Sequence, residues 1–489
     1  MTRARRLLGI LHGCVDRHAG DAERTLALTE ISAQVAWLCH AGTFVLPQAE
    51  RLLHEHAERI LPQTPCGDWM RAVEGRTLHV LSEAYGVGGH TLLVKRWIEL
   101  LDEEPHAVVL VRQLQSFDPS WVVPAGRHVP RIDLHAVDSS RCRKVAWLAS
   151  LFGVARRVIL HIHPNDACSV AAAYRSPQAD IHFLNHADHV AWLGAGLPVV
   201  YLNLRQRGTR LAETRRGIAA STCGVVPIPI TPPAPVDRCA ARRKFGLVDG
   251  DCLLLTVASA YKFTPVGRRS LLEPLDRLLC RRDVKLMAVG VDAGHPVFGI
   301  LAERHPGQVM CMGIVPSPTA HRAAADIYLD SYPFCSVTSM LESAALGTPV
   351  VAYRPDQPDL DILYSECPWL PAEHHEARDA GGLVELLHAL IDDRALRQEM
   401  CLRNIEGMKQ HFPSAWRAAV RRHLMCTFTK PPWRRPDRPF GHGLLDEVLS
   451  ELMSDVLHYT SQPDALGLDE IGRDRIMRRE LRGMPESGL

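Results

Sequence analysis

The chain has 489 residues, of which 46% are hydrophobic and 23% charged, a composition typical of a globular protein with two or three domains. The formal net charge of +1 excludes a strong overall attraction to nucleic acid or to a membrane surface, and no apolar run is long enough for a membrane span. The 14 cysteines contain no CxxC pair, which favours reduced thiols in a cytoplasmic protein over disulfides or a zinc knuckle.

The amino-terminal part of the chain is predicted to be helical. Its first apolar stretch is interrupted by His12 and followed by Asp16, so we do not expect a signal peptide. Ala, Leu, Glu and His then recur at three- and four-residue spacing over residues 22–39 and 47–60, as they do in helices. We therefore expect a helical domain at the start of the chain.

From residue 75 onward, strands are predicted to alternate with helices, the pattern of parallel βαβ units. A proline-rich stretch then interrupts the alternation and predicts a linker. The predicted segments are a helical domain at 1–74, a Rossmann-like domain at 75–225, a linker at 226–240, a second Rossmann-like domain at 241–415, and a closing helix with a helical extension at 416–489. Strands are predicted at 77–83, 106–111, 157–162, 180–184, 198–202, 252–258, 284–290, 308–312, 327–330 and 350–353, and helices include 90–101, 268–281 and 444–458.

The most informative stretch is residues 325–353, ADIYLDSYPFCSVTSMLESAALGTPVVAY. It predicts a strand, a Ser/Thr-rich loop, a helix, a tight turn and a second strand. Backbone N–H groups, hydroxyls and the positive end of the helix then converge on one place, which suits a diphosphate. The segment resembles the donor-binding domain of GT-B glycosyltransferases. It is most similar to the protein O-linked N-acetylglucosamine transferases and the bacterial adhesin N-glucosyltransferases, which share the Leu-Asp-[Ser/Thr] strand end and Gly-[Thr/Val]-Pro-Val-Val.

This resemblance implies an α/β fold of GT-B type, with two Rossmann-like domains facing a cleft and a helical amino-terminal domain. It also implies a nucleoside-diphosphate sugar, with UDP as the expected nucleotide, as co-substrate and no other cofactor. By position, Lys262 matches the pyrophosphate-binding lysine of the family, and Glu342 matches its ribose-binding acid. Thr338 and Ser339 match a Thr-Thr pair, whereas Val337 stands where the N-acetylglucosamine transferases carry histidine. His321 is placed much like a nucleotide-contacting histidine.

The first Rossmann-like half is expected to supply the base for the acceptor. A glycine-rich turn that includes Gly88 and Gly89 comes before His90, where a helix amino terminus and flexible backbone suit a phosphate or sugar. Two further clusters, 161–166 and 185–189, follow predicted strands, where open α/β sheets bind ligands. An imidazole next to a carboxylate is a common general base near neutral pH. The candidate catalytic residues are His90, Asp166, His186, Asp188 and His189.

Phe334 occupies the position of the first acid of the retaining E-x7-E motif, so the resemblance favours an inverting reaction without a bound metal. Three alternatives stay open. The first is a metal site built from His161, His163, His186 and His189, because imidazoles suit zinc and iron. The others are a non-hydrolysing nucleotide-sugar epimerase and a GT-B-like partner protein without catalysis. The acceptor is open between a protein side chain, a glycan and a small molecule, and nucleic acid is not expected.

Overall fold

The computed structural model of the protein describes residues 2–18, 20–86, 89–114, 116–234, 236–355, 357–425, 441 and 443–459. The chain divides into two compact units. The first contains Met1–Val226 and Ala419–Leu489, and the second contains Pro227–Ala418. Each unit is built on a sheet whose paired strands are parallel, which confirms the predicted α/β class.

The first unit contains a seven-stranded sheet in the order β3-β2-β1-β4-β5-β6-β7. The order reverses between β1 and β4, so the loops that follow these two strands border one crevice at the carboxyl edge of the sheet. The strands are β1 (Thr77–Leu81), β2 (His106–Leu110), β3 (Arg131–Asp133), β4 (Arg157–His161), β5 (Ile181–Asn185), β6 (Val200–Asn203) and β7 (Cys223–Val225).

Nine helices of the first unit come before the linker in the described part of the chain. They are α1 (Thr2–Arg17), α2 (Ala22–Cys39), α3 (Pro47–Arg59), α4 (Gly67–Val73), α5 (Gly89–Leu100), α6 (Leu134–Val137), α7 (Arg141–Val154), α8 (Ala167–Arg175) and α9 (Gln206–Arg216), with 3₁₀ turns at Pro119–Trp121 and Ala220–Thr222.

The helices α1 to α4 share one hydrophobic core with the first sheet. Leu8 of α1 and Leu53 of α3 belong to the same buried cluster as Leu78 and Val80 of β1. Glu50 of α3 is also buried and accepts hydrogen bonds from the N–H groups of residues 194 and 195. Near residue 74 the chain therefore passes from helices to alternating strands and helices without leaving its compact unit. The predicted domain limits stay predictions.

The second unit contains a six-stranded sheet in the order β10-β9-β8-β11-β12-β13. Here the order reverses between β8 and β11, which places the loops after these two strands side by side. The strands are β8 (Cys252–Val257), β9 (Val284–Val289), β10 (Val309–Cys311), β11 (Ile327–Leu329), β12 (Val350–Tyr353) and β13 (Glu376–Ala377).

The helices of the second unit are mostly short. The predicted helix at 268–281 begins only at residue 272, because Val266 and Arg269 exchange backbone hydrogen bonds of 3.1 and 3.0 Å around a turn. The helices are α10 (Arg238–Lys244), α11 (Leu272–Leu278), α12 (Phe298–Arg304), α13 (Thr319–Ala324), α14 (Val337–Ala344), α15 (Ala372–His375), α16 (Ala380–Asp392) and α17 (Arg394–Met408), with 3₁₀ turns at Ala260–Phe263, Pro358–Leu363 and Lys409–His411.

The chain returns to the first unit near its carboxyl end. Helix α18 (Pro413–Met425) begins in the second unit and ends in the first, and α19 (Leu444–Tyr459) packs against α2. Asp446 of α19 is buried and lies 3.0 Å from Nε2 of His40 and 2.7 Å from Nη2 of Arg215. Across the described residues, we find no helix that combines the length and the hydropathy required to cross a membrane.

Candidate functional site

One carboxylate shapes the loop between β11 and α14 in the second unit. Asp330 directly follows β11 and is buried. Its Oδ1 accepts the backbone N–H groups of Ser331 and Ser336, both at 2.9 Å, and its Oδ2 accepts the hydroxyl of Ser365 at 2.5 Å. Burial raises the pKa of Asp330, against the effect of these hydrogen bonds. Sequence reasoning gave Asp330 no separate role, although an acid between an apolar strand and a Ser/Thr-rich loop was the available signal.

Lys262 lies beside this loop. It belongs to the 3₁₀ turn that follows β8, the neighbour of β11 in the sheet. Its Nζ donates to the carbonyl of Cys335 at 2.7 Å and lies 4.8 Å from the centroid of the Phe334 ring. The structure therefore brings together the predicted lysine and the predicted loop, which are far apart in the chain.

Helix α14 directs its amino terminus into the same loop. Thr338 and Ser339 lie in its first turn and are half-buried, and the first N–H groups of a helix have no partner within the helix. Together with the ammonium of Lys262, this helix end gives the loop a positive potential. The arrangement can hold the charge of a phosphate or diphosphate group.

Glu342, one turn further along α14, forms an ion pair. Its Oε2 lies 2.7 Å from Nη2 of Arg322 in α13, and only 7% of the Arg322 side chain is exposed. The neighbouring His321 instead packs against Phe245, with ring centroids 4.7 Å apart. Burial lowers the pKa of His321, and Lys244 lowers it further. Arg322, which the sequence did not single out, is thus the residue of α13 that contacts the predicted ribose-binding acid.

In the first unit, three predicted clusters meet at the carboxyl edge of the sheet. His90 lies in the first turn of α5, and its Nε2–H donates to the carbonyl of His161 at 2.7 Å. The His90 ring centroid is 4.3 Å from that of His186 and 5.5 Å from that of His163. Gly89 is the first residue of α5, and Gly88 lies outside the described residues. This juxtaposition of imidazoles was not readable from their positions in the chain.

The hydrogen bond of His90 defines its tautomer. Because a carbonyl can only accept, the proton of the neutral ring is on Nε2, and Nδ1 carries a lone pair. Nδ1 of His90 is buried and has no hydrogen-bond partner, and the same holds for Nδ1 of His186. Burial lowers the pKa of both rings, and the other imidazoles add to this effect for His186. Both side chains are therefore neutral near pH 7 and able to accept a proton.

Asp188 is bound by arginine. Its two oxygens lie 2.7 and 3.0 Å from Nε and Nη2 of Arg205, and the nearest imidazole contact is Nδ1 of His189 at 3.5 Å. Burial acts to raise the pKa of Asp188, but Arg205 and His189 outweigh it and the pKa is lowered. The backbone carbonyl of Asp188 also accepts from Arg216 at 2.7 Å. Asp188 was expected to orient a histidine base, but its main partner is the guanidinium of Arg205.

Asp166 caps a helix. Its Oδ1 accepts the N–H of Ser169 in the first turn of α8 at 2.8 Å, and its Oδ2 accepts the hydroxyl of Ser82 at 2.6 Å. Burial raises the pKa of this carboxyl, with the hydrogen bonds opposing the rise. Asp166 therefore joins the loop after β1 to α8 next to the imidazoles.

On one face of the sheet, next to Trp97 of α5, His161 contacts a row of histidines. Its Nε2 lies 3.0 Å from Nδ1 of His79, whose Nε2 lies 3.1 Å from Nδ1 of His106, and His106 Nε2–H donates to the carbonyl of Leu101 at 2.8 Å. Among the residues that the structure describes, no three His, Cys, Asp or Glu side chains are arranged to hold a metal ion.

No protein-family model matches the chain, and no curated protein matches it in sequence. Solved structures do match. The chain has the GT-B fold. A glycosyltransferase from Rickettsia africae is 11% identical with a TM-score of 0.55, over 72% of this chain and 97% of that one. HepE from Anabaena, in complex with UDP and glucose, is 13% identical with a TM-score of 0.52, over 71% and 99% of the two chains.

A third similar structure is a variant of TarM from S. aureus in complex with Fondaparinux, alpha-GlcNAc-glycerol and UDP. It is 9% identical with a TM-score of 0.53, over 72% of this chain and 100% of that one. These structural neighbours are GT-B glycosyltransferases, and at such identities the similarity concerns the fold. The GT-B prediction from the 325–353 segment is therefore confirmed.

Proposed function

We propose that the protein is a glycosyltransferase that moves a hexose or N-acetylhexosamine from a nucleoside-diphosphate sugar, with UDP as the nucleotide, to an acceptor. The observation that carries this proposal is the position of Lys262, whose ammonium lies 2.7 Å from the loop that opens α14 in a GT-B fold. HepE and TarM, which share the fold, were both solved with UDP. A fixed cation and a helix end at one place stabilise the negative charge that develops on a departing diphosphate.

In this proposal, Lys262 and the first turn of α14, with Thr338 and Ser339, bind the diphosphate. Glu342 accepts hydrogen bonds from the ribose hydroxyls, as the resemblance to the protein O-linked N-acetylglucosamine transferases and adhesin N-glucosyltransferases implies. His321 contributes to the nucleotide site through α13. The predicted donor-binding role of Gly88 and Gly89 is kept in this proposal. The diphosphate is the leaving group, and no other cofactor is required.

The first unit supplies the base in this proposal. A neutral imidazole with an unpartnered lone pair accepts the acceptor proton while the diphosphate leaves. His90 has such a nitrogen, and His186 has a buried Nδ1 without a hydrogen-bond partner. The loops around the proposed base are held in place by Asp166, Asp188 and His189, which also affect the electrostatic potential at the base. Because Phe334 replaces the first acid of the retaining motif, transfer inverts the anomeric configuration without a metal. The proposed acceptor is a protein side chain, a glycan or a small molecule, and the proposed location is the cytoplasm.

The test is a panel of UDP, GDP, ADP, UDP-glucose, UDP-galactose and UDP-N-acetylglucosamine, added to the purified protein and to the Lys262→Ala variant. A ligand at a hundred times its dissociation constant stabilises a protein by about 2.7 kcal/mol, so the donor should raise the Tm of the wild-type protein measurably. The Lys262→Ala variant should respond much less. If no nucleoside diphosphate changes the Tm of the wild-type protein, the proposal is wrong.

A further inference from the structure

Arg269 lies at the carboxyl edge of the second sheet, in the segment between β8 and α11. The backbone bridge with Val266 fixes its position, and Gly267 between them adopts a φ of +58°. Lys262 belongs to the same connecting segment. The β8–α11 connection thus carries two cationic residues, Lys262 and Arg269, near the point where the strand order of the sheet reverses.

The guanidinium of Arg269 has little compensation for its charge. The side chain is half-buried, its Nε is buried without a hydrogen-bond partner, and its Nη2 lies 3.4 Å from Oε1 of Gln357. Within the described part of the chain, no carboxylate lies at ion-pair distance from it. By contrast, Arg322 and Arg354 in the same unit each contact a carboxylate at 2.7 to 2.9 Å. A partly buried cation without an anion is unfavourable unless a ligand supplies the anion.

Three tyrosines lie close to one another at the loop before α14. Tyr332 follows Asp330 and Ser331 in the loop before α14, and its ring centroid lies 4.6 Å from that of Tyr353 and 6.2 Å from that of Tyr364. Burial raises the pKa of Tyr364 to about 12, and Arg269 opposes that rise. Burial likewise raises the pKa of Tyr332, again with Arg269 acting in the opposite direction. Both phenols therefore stay protonated near neutral pH and can donate hydrogen bonds.

We propose that Arg269 binds an anionic group of the substrate on the same β8–α11 connection that carries Lys262, with the hydroxyl of Tyr332 as a further donor. The planar fork of arginine fits the paired oxygens of a phosphate or a carboxylate. Two sources carry that chemistry: the diphosphate of the donor, or a carboxylate on the transferred sugar. The identification of this substrate as a nucleotide sugar rests on the proposed function, whereas the anion site itself does not.

Isothermal titration can identify the source of the anion. The probes are inorganic pyrophosphate, uridine, UDP, UDP-glucose and UDP-glucuronate, and the proteins are wild type, Arg269→Gln, Arg269→Lys and Tyr332→Phe. The matched control is Arg268→Gln, which removes the adjacent, exposed arginine. Thermal unfolding of each variant shows that the fold is kept, and Arg269→Lys keeps the charge while it removes the fork.

If the diphosphate is the ligand, Arg269→Gln weakens pyrophosphate and UDP about tenfold or more, in line with loss of a charge-assisted hydrogen bond, and leaves uridine unchanged. If a sugar carboxylate is the ligand, Arg269→Gln weakens UDP-glucuronate by that factor and leaves UDP and UDP-glucose unchanged. Equal affinities of Arg269→Gln and Arg268→Gln for all five probes overturn the inference. A wild-type protein that binds pyrophosphate through Arg269 but none of the uridine compounds supports the anion site and contradicts the proposed nucleotide.

Discussion

The carboxylate of Glu342 and the guanidinium of Arg322 form a short, largely buried ion pair, with 2.7 Å between Oε2 and Nη2. A carboxylate has about four lone-pair sites and can accept several hydrogen bonds at once. The ion pair with Arg322 fixes the orientation of the Glu342 carboxylate. A carboxylate fixed in place can accept hydrogen bonds from the two hydroxyls of a ribose.

The Arg322–Glu342 pair predicts discrimination between ribose and deoxyribose. Wild-type protein should bind UDP about tenfold more tightly than 2′-deoxy-UDP, since a hydrogen bond to a charged group contributes about 1.5–3 kcal/mol. In Glu342→Gln and Arg322→Gln the ratio should approach one, as titration calorimetry would show. Arg281→Gln removes the ion pairs with Asp283 and Asp392 elsewhere in the same unit and should leave the ratio unchanged. An unchanged ratio in Arg322→Gln would mean that the pair only ties α13 to α14.

Replacement of Lys262 should separate catalysis from folding. Lys262→Ala removes a cation and one hydrogen bond to a backbone carbonyl, so turnover should fall on the order of a hundredfold or more with little change in Tm. Lys244→Ala, which removes an exposed lysine of the same unit, is the control. The measurement is the steady-state turnover of both variants. Near-normal turnover in Lys262→Ala would contradict the assignment of Lys262 to the donor site.

The imidazole contact predicts which changes stop transfer without loss of nucleotide binding. His90→Gln and His186→Gln should each lower turnover on the order of a hundredfold or more, while UDP affinity stays close to that of the wild type. Asp188→Asn should abolish transfer as well, and it should lower the Tm because Arg205 loses its charged partner. The measurement is turnover, UDP affinity and Tm for single variants of His90, Asp166, His186, Asp188 and His189. Full activity in all five variants would place the base elsewhere.

The product linkage should have the opposite anomeric configuration to that of the donor. Phe334 occupies the position of the first acid of the retaining motif, and its ring lies 4.8 Å from the ammonium of Lys262, so no carboxylate is supplied at that position. Proton NMR of the isolated product gives the configuration through the coupling constant of the anomeric proton. Retention in the product would contradict the inverting mechanism.

Buried histidines predict a loss of stability in mild acid. Burial is the main cause of the lowered pKa of His79, His106 and His161. Their folded pKa values lie below the unfolded value of about 6.5, so the unfolded state binds more protons as the pH falls below that value. Each ring that stays neutral then costs about 1.4 kcal/mol of stability per pH unit.

The test of this acid sensitivity is the Tm between pH 8 and pH 5.5 for wild type, His79→Gln and the control His128→Gln. The Tm of the wild type should fall as the pH drops below 6.5. His79→Gln should show a smaller fall over the same interval, since one neutral ring has been removed. His128 is exposed, so its replacement should leave the slope unchanged. Parallel curves for wild type and His79→Gln would contradict the linkage.

The sequence predicted the central strands well and missed edge strands. Val350–Tyr353 has the predicted limits, because an apolar run buried on both faces is unambiguous. β3, β7 and β13 were not predicted, and each lies at the edge of its sheet. These strands have two or three residues, too few for a periodic pattern, and edge positions do not require a continuous apolar run.

In the candidate site, local motifs could be predicted from the sequence, whereas contacts between distant side chains could not. Lys262 and the loop before α14 were predicted from motifs that are local in the chain. The contact between His90 and His186 was not, because it depends on which strands become neighbours. Arg269 and Arg322 were missed for a further reason. Arg322 stands out because a carboxylate lies beside it, and Arg269 because no described carboxylate does, and both properties depend on the folded chain.

The division of the chain has a consequence for synthesis. The first unit is closed by residues from the carboxyl end, where Leu424 accepts a hydrogen bond from Arg157 and Asp446 contacts His40. The ribosome must therefore translate the whole of Pro227–Ala418 before these contacts can form. At about 5–20 residues per second that delay is roughly 10–40 seconds. The amino-terminal unit spends this interval incomplete, while the second unit, which is continuous in sequence, can fold ahead of it.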